Sequence, residues 1–261
     1  MSVPQDSYIQ VSGVEKRYGG PETALTLQGI DLNIRKGEFV SILGPSGCGK
    51  STLLKCVAGL ENVTSGRISA RGEAIKGPPA GLGMVFQRDM LLDWRTIVEN
   101  VLFNVELQQK VTPEIRERAK AQLARFGLAG YEDKRPWELS GGMRQRASIC
   151  RALLTDPDIL LMDEPFGALD AMTRDDLNVE VARIWLETRK TIVFITHSIS
   201  EAVFLSDKVV ILDRHPGRII EVLDIDLPRP RPLSLRETPD FGRYSNHIRQ
   251  VFTKLGIVKD A

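Results

Sequence analysis

The chain has 261 residues, 42% hydrophobic and 26% charged, an ordinary balance for a globular protein long enough to bury a sizeable core. Its 35 basic and 34 acidic residues leave a net charge of +1, so composition gives no general attraction to nucleic acid or an anionic membrane. Cys48, Cys56 and Cys150 lack metal-ligand or redox spacing and suit a reducing cytosol. Residues 1–6 lack the basic-then-apolar pattern of a signal segment, and no apolar run reaches the roughly 18 residues of a membrane span. A soluble protein is expected, one still able to dock on a membrane protein.

In chain order, residues 8–11 and 27–34 read as strands, the second from the near alternation of Leu27, Ile30, Leu32 and Ile34. Residues 38–43 form an apolar run ending at Gly44, a buried-strand pattern, and 51–58 a short helix. Further strands are expected at 67–70 and 84–86. Helices are then expected at 96–107, 113–126 and 140–154, with Pro113 at a favoured first-turn position after Thr112. A strand at 159–162, a helix at 171–188, a strand at 191–195, a helix at 199–205 and a strand at 208–212 follow. Alternating strands and helices indicate a mostly parallel α/β sheet, and the helical block before residue 155 indicates an insertion. The prolines of 227–232 remove sheet donors, so that segment reads as an extended connector to a last helix near 240–255.

Gly44-Pro45-Ser46-Gly47-Cys48-Gly49-Lys50-Ser51 fits G-x-x-x-x-G-K-[ST] between an apolar strand and a helix, the context a phosphate loop requires. Its glycines let backbone N–H groups wrap phosphates. Lys50 is expected on the β/γ-phosphates, the Ser51 hydroxyl on Mg²⁺, and Thr52 is a further phosphate contact. A second segment, Leu139-Ser140-Gly141-Gly142-Met143-Arg144-Gln145-Arg146, reads as a helix start with Ser140 as N-cap. Two glycines in a first turn are poor helix formers, and they make sense where bare N–H groups must approach an anion. The strand 159–162 ends in Asp163 and Glu164; Asp163 is expected to bind Mg²⁺ and Glu164 to polarise the attacking water, the alternative being that one acid caps the turn made by Pro165 and Gly167.

With these segments the chain resembles, over nearly its whole length, the nucleotide-binding subunit of ABC transporters. The resemblance implies a P-loop NTPase (RecA-like) core with an antiparallel β subdomain and an inserted α-helical subdomain. It divides the chain into 1–88 (first part of the core), 89–155 (signature subdomain), 156–226 (second part of the core) and 227–261 (C-terminal extension). It also implies ATP and Mg²⁺ as cofactors, and it makes Ser140, Gly141 and Gly142 the signature that meets the γ-phosphate of ATP held by a second copy. Tyr18 is similar to the aromatic that stacks on adenine, otherwise a packed strand-end tyrosine. Gln87 is similar to the Q-loop glutamine that touches Mg²⁺ or the attacking water. Ala168-Leu169-Asp170 is similar to the interface D-loop, where Asp170 could equally cap a helix. His197 is similar to the switch histidine. His215 and His247 lack such a context and read as structural or surface residues.

Met143 stands where many members of the family have glutamine, and methionine there resembles the branch importing nitrate, sulfonates, taurine or bicarbonate. The segment 91–97 resembles the same branch, with Asp93 where relatives usually have proline; so do 216–218 and 228–231. Trp94 is expected at the surface that meets the permease, or packed within the helical insertion. The implied partners are a second ATPase subunit, transmembrane permease subunits and a periplasmic or lipid-anchored solute-binding protein, with no nucleic acid. The implied location is the cytoplasmic face of the inner membrane. A non-transport ABC protein usually carries two cassettes or a long coiled-coil insertion, neither of which is read here. An exporter cassette is the other alternative.

Overall fold

The computed structural model describes residues 7–167 and 169–257. Ala168 of the segment 168–170, and residues 1–6, therefore lie outside the described residues. The chain divides into two compact units, one made of residues 1–80 and 181–261, the other of 81–180.

The first unit opens with β1 (Ser7–Arg17) and β2 (Leu25–Arg35), an antiparallel pair. Ile9, Val11 and Val14 of β1 are buried, as are Leu27, Ile30, Leu32 and Ile34 of β2. β1 runs six residues past the predicted end at Val11. The register shifts between Val11 and Val14, where the Gly13 N–H donates to Asp31 Oδ1 at 2.8 Å, and this irregularity breaks the alternation that reveals a strand. β3 (Phe39–Leu43) is buried throughout and leads to α1 (Lys50–Val57). β4 (Ser65–Ala70) and the two-residue β5 (Glu73–Ala74) complete an antiparallel sheet of order β2-β1-β4-β5.

In the second unit β6 (Leu82–Val85) lies parallel to β7 (Ile159–Asp163), with Leu82 opposite Ile159 and Val85 opposite Met162. Between them come α2 (Ile97–Glu106), α3 (Pro113–Arg125), a 3-10 turn at Pro136–Glu138 and α4 (Gly141–Leu154). Thr96 and Glu99 form a reciprocal capping box on α2, Thr112 caps α3 ahead of Pro113, and Ser140 caps α4. The helices close over Val101, Leu102, Leu123, Ala147, Ile149 and Cys150, all buried. Asn100 is also buried. Its amide donates to the Leu92, Arg95 and Thr96 carbonyls at 3.0, 3.3 and 3.0 Å and accepts from the Leu92 N–H at 2.6 Å, which fixes the loop carrying Trp94. α5 (Ala171–Thr188) begins in this unit and ends in the first.

The first unit resumes with β8 (Thr191–Thr196), α6 (Ile199–Leu205), β9 (Lys208–Leu212), β10 (Ile219–Asp224) and α7 (Pro239–Lys254). Its second sheet has the order β10-β9-β3-β8, with β3 parallel to both β8 and β9 and β10 antiparallel to β9. β3 and β8 are buried at every position, which is why they read as mostly apolar runs without polar alternation. β10 is absent from the sequence reading. It is an edge strand with half-buried and exposed residues in alternation, but its apolar residues fall in adjacent pairs, Ile219-Ile220 and Val222-Leu223, so no apolar–polar alternation announces it.

Glu38 ties these strands together. Its carboxylate accepts from the Arg35 N–H at 2.8 Å and the Arg35 guanidinium at 2.9 Å, and it pairs with Lys208 Nζ at 2.9 Å. Burial pushes its pKa up, but the Arg35 amide, Lys208 and the Arg35 side chain outweigh burial and hold it below the ordinary value of 4.5. A carboxyl depressed in the folded state contributes stability that is present above its unfolded value and lost as pH falls through the folded one. Glu38→Gln should therefore destabilise the chain by about 1–3 kcal/mol at pH 7. In urea melts the gap between wild type and variant should close as pH falls below about 4.

Candidate functional site

β3 and β8 are adjacent and parallel, with Leu43 opposite Thr196, so the chain leaves both strands at the same end of the sheet. One exit is the loop beginning at Gly44, the other is His197. This is the carboxyl edge of parallel strands, where α/β proteins gather ligands.

Gly49 is the N-cap of α1 at φ +100, a left-handed conformation, and a Cβ there would lie 2.7 Å from Leu27 Cδ2. The first intrahelical bond runs from Leu53 N–H to Gly49 C=O at 2.9 Å, so the amides of Lys50, Ser51 and Thr52 open toward the loop mouth. Lys50 is buried, and its ammonium donates to the Gly44 and Pro45 carbonyls at 2.9 and 3.0 Å. Cys48 is buried within the loop, and burial pushes its thiol pKa up despite the nearby Lys50 charge, leaving it a poor nucleophile. Tyr18 is exposed, with its hydroxyl 3.5 Å from Thr52 Oγ1 and Lys16 Nζ 4.7 Å from its ring centroid. It is thus a ring presented beside the start of α1, not a packed strand-end tyrosine.

The loop after β9 comes back against this one, which the sequence reading did not foresee. Gly217 donates to the Thr26 carbonyl at 2.8 Å, and a Cβ on it would meet the Cys48 carbonyl oxygen at 2.1 Å, so only glycine fits. His215 Nε2 lies 3.6 Å from where a Gly47 Cβ would stand. The contact joins residues far apart in sequence, and the Pro216-Gly217 turn was its one local sign. His247 pairs with Glu221 at 2.6 Å on the surface, as expected of a structural residue. His197 is exposed just ahead of Ser198, whose hydroxyl caps α6 by accepting from Glu201 N–H at 3.3 Å.

In the second unit, the parallel pair β6 and β7 likewise delivers Gln87 and the Asp163–Glu164 pair to one end. Asp163 is buried as the last residue of β7. Glu164 takes φ +43, a costly backbone for a non-glycine residue and one concentrated at functional sites. Gln87 Nε2 donates to Glu164 Oε2 at 3.4 Å, so these two are brought together. Asp170 caps α5, its carboxylate accepting the Thr173 N–H at 3.0 Å, and that bond holds its pKa below the ordinary range.

α4 starts on Ser140, whose hydroxyl accepts the Met143 N–H at 3.3 Å. Ser140 and Gly141 are exposed, while a Cβ on Gly142 would meet Thr173 Cγ2 at 2.8 Å. The same helix grips the segment after β6. Arg144 Nε binds Asp89 Oδ2 at 3.0 Å, Gln145 reaches the Phe86 carbonyl at 3.4 Å, and Arg151 donates to the Asp89 and Met90 carbonyls, each at 2.7 Å. No local motif marks Arg144 or Arg151. Their spacing of seven places both on one face of α4, the only sequence signal for a shared target. Trp94, on the loop fixed by Asn100, is 72% exposed and is not packed inside the helical unit.

The family described as ABC transporter matches residues 27–167. An uncharacterized ABC transporter ATP-binding protein of Methanocaldococcus jannaschii is 47% identical over 90% of this chain and 84% of its own length. An aliphatic sulfonates import ATP-binding protein of Bacillus licheniformis is 45% identical over 91% of each. A dimeric ATP-binding cassette, solved in a post-hydrolysis state bound to ADP and Pi, superposes with a TM-score of 0.75 at 29% identity, covering 84% of this chain and all of that one. The expected fold, a P-loop core with an antiparallel β subdomain and an inserted helical subdomain, is the cassette fold of these proteins.

Arg151→Met should leave the Asp89 and Met90 carbonyls without their buried donor and destabilise the chain by roughly 2–3 kcal/mol. Amide exchange should rise most in residues 86–90, as read by mass spectrometry of peptides spanning them.

Proposed function

We propose that this chain, which belongs to the ABC transporter family and is an ABC ATPase, powers uptake of a small anion of the aliphatic sulfonate type through a membrane permease. The observation that carries the reading is the glycine-bearing start of α4, exposed at Ser140 and Gly141 and half-buried at Gly142, in a chain that already holds a phosphate loop at Gly44–Ser51. Two phosphate-facing helix ends in one chain are best used when two copies face each other. Each α4 then closes on the nucleotide held by the other copy's loop.

In this reading Tyr18 stacks on adenine, and the loop of Gly44, Pro45, Ser46, Gly47, Cys48 and Gly49 wraps the phosphates with the main-chain N–H groups of its non-proline residues, Pro45 fixing the backbone at the first bend. Lys50 exchanges its loop carbonyls for the β/γ-phosphates, and Thr52 adds a contact. The donors of Ser51, Gln87 and Asp163 fit Mg²⁺, since hydroxyl, amide oxygen and carboxylate are the hard ligands it takes alongside substrate phosphates. Mg²⁺ neutralises phosphate charge when bound. Glu164 orients and polarises the attacking water, aided by Gln87, which already reaches it. His197 senses the γ-phosphate. Catalysis of this kind is positioning and charge stabilisation, and the first-turn amides of α4 replace water around the developing charge. Asp170 lies on the interface between copies while capping α5.

The proposed division of labour follows 1–88 and 156–226 as nucleotide core, 89–155 as signature subdomain and 227–261 as C-terminal extension. Among the described residues no helix is long and apolar enough to cross a membrane. The partners proposed are a second copy, permease subunits contacted around exposed Trp94, and a periplasmic or lipid-anchored solute-binding protein. The location proposed is peripheral, on the cytoplasmic face of the inner membrane.

Glu164→Gln should bind ATP with near-normal affinity, lower kcat by 100-fold or more and accumulate ATP-dependent dimers in light scattering; adding Ser140→Arg should abolish those dimers. Normal turnover by Glu164→Gln removes the water-polarising role. Deleting the gene should stop growth on an alkanesulfonate as sole sulfur source and spare growth on sulfate. Unimpaired growth on the sulfonate, with loss on nitrate or taurine, redirects the cargo within the same class.

A further inference from the structure

The C-terminal extension turns two arginines inward, Arg231 buried and Arg229 half-buried. Arg231 is buried, and its guanidinium donates to five main-chain carbonyls: Val203, Phe204 and Ser206 at 3.1, 3.0 and 2.8 Å, and Ile225 and Leu227 at 3.3 and 3.2 Å. The first three are the closing carbonyls of α6, the groups a helix end leaves without partners. Arg229 donates to the Leu205 carbonyl at 2.6 Å, pairs with Asp207 at 2.9 Å and stacks 4.0 Å from the Trp185 ring. Burial, with the neighbouring Arg229 charge, pulls the Arg231 pKa down to about 10, so it stays charged at neutral pH, held by carbonyl dipoles at the negative end of a helix.

The other end of α6 begins at Ser198, next to His197. α6 is only seven residues long, so a shift at its carboxyl end moves its start. The turn after α6 is bound to β3 as well. Asp207 Oδ2 accepts the Phe39 N–H at 2.9 Å, and Ser206 Oγ bonds Ser41 Oγ at 2.5 Å. β3 leads directly into the phosphate loop.

We infer that Arg231, with Arg229, is a positioning residue: the extension clamps the carboxyl end of α6 and thereby sets His197 relative to the phosphate loop. The inference rests on the switch role proposed for His197. A tail that merely packed would need apolar contacts such as Phe241, Ile248 and Phe252, which are present, but not a buried charge that ties three carbonyls at the end of α6 to the Ile225 and Leu227 carbonyls of the tail's own start.

The test compares full-length wild type, Arg231→Met, Arg231→Lys and His197→Ala by steady-state ATPase kinetics and amide exchange. Arg231→Met should lower kcat at least tenfold with KM for ATP changed less than twofold, and should speed exchange in α6 tenfold or more while β3 stays protected. Arg231→Lys, which keeps a donor for the α6 carbonyls but not the fork that spans them, should recover between a third and two thirds of the lost kcat. If Arg231→Met does not fold, Arg231→Lys carries the test: reduced kcat at unchanged KM with faster α6 exchange supports the clamp, and wild-type values for both overturn it. Wild-type kcat in a folded Arg231→Met, or equal losses in kcat and ATP affinity with exchange raised everywhere, also overturns it. His197→Ala separates the two claims. Wild-type turnover by that variant overturns the switch reading and the clamp with it. Loss of turnover there, beside wild-type kcat in Arg231→Met, overturns the clamp alone.

Discussion

Main-chain N–H groups at a helix start can hold a phosphate only if the helix cannot retreat from it. A side chain may bend toward its ligand, but a backbone donor is as well placed as the helix that carries it. This constraint organises the molecule. α1 is held by Gly49, whose lack of a Cβ lets the loop lie against Leu27, and by the buried strand β3 behind it. α4 is held by Arg144, Gln145 and Arg151, which reach across to residues 86–90. α6, with His197 before it, is held from its far end by Arg231 and Arg229.

Arginine recurs in these contacts for a physical reason. Its planar guanidinium offers five donors in a fixed fork and stays charged when buried, so one side chain can satisfy several carbonyls that a helix or loop leaves unpaired. In the proposed function this arrangement makes the site an assembly of fixed donors instead of one of mobile side chains. Such preorganisation is what phosphoryl transfer asks of a protein, since no reorganisation is then needed as charge develops.

The two parallel strand pairs supply the matching order. β3 with β8, and β6 with β7, each bring two chemical segments to one edge through their register alone. ATP-driven work then requires that nucleotide prefer one arrangement of two copies over another, because a ligand shifts an equilibrium only by its differential affinity. Glu164, beside Gln87, is one of several non-glycine residues held in a left-handed backbone, and it is the one set at this edge.

Much of this was legible in the residues. The phosphate loop, the buried strands, the acidic strand end and the Ser140 cap are local patterns, and local patterns follow from steric and hydrogen-bonding rules within a few residues. The cassette fold was legible from the combination of those motifs. What escaped was long-range or faint. β10 is an edge strand whose paired apolar residues do not alternate with polar ones, and the full length of β1 is hidden by an irregular register at Gly13. The approach of His215 and Gly217 to the phosphate loop joins residues some 170 positions apart. The carbonyls bound by Arg151 and Arg231 carry no side-chain identity, so no residue type marks them in advance. By itself the sequence determined which segments carry chemistry, because that depends on residue type at fixed spacing. Only the tertiary structure decided which helix ends are held and by what, because the partners there are backbone atoms that every residue has and only the fold brings within reach.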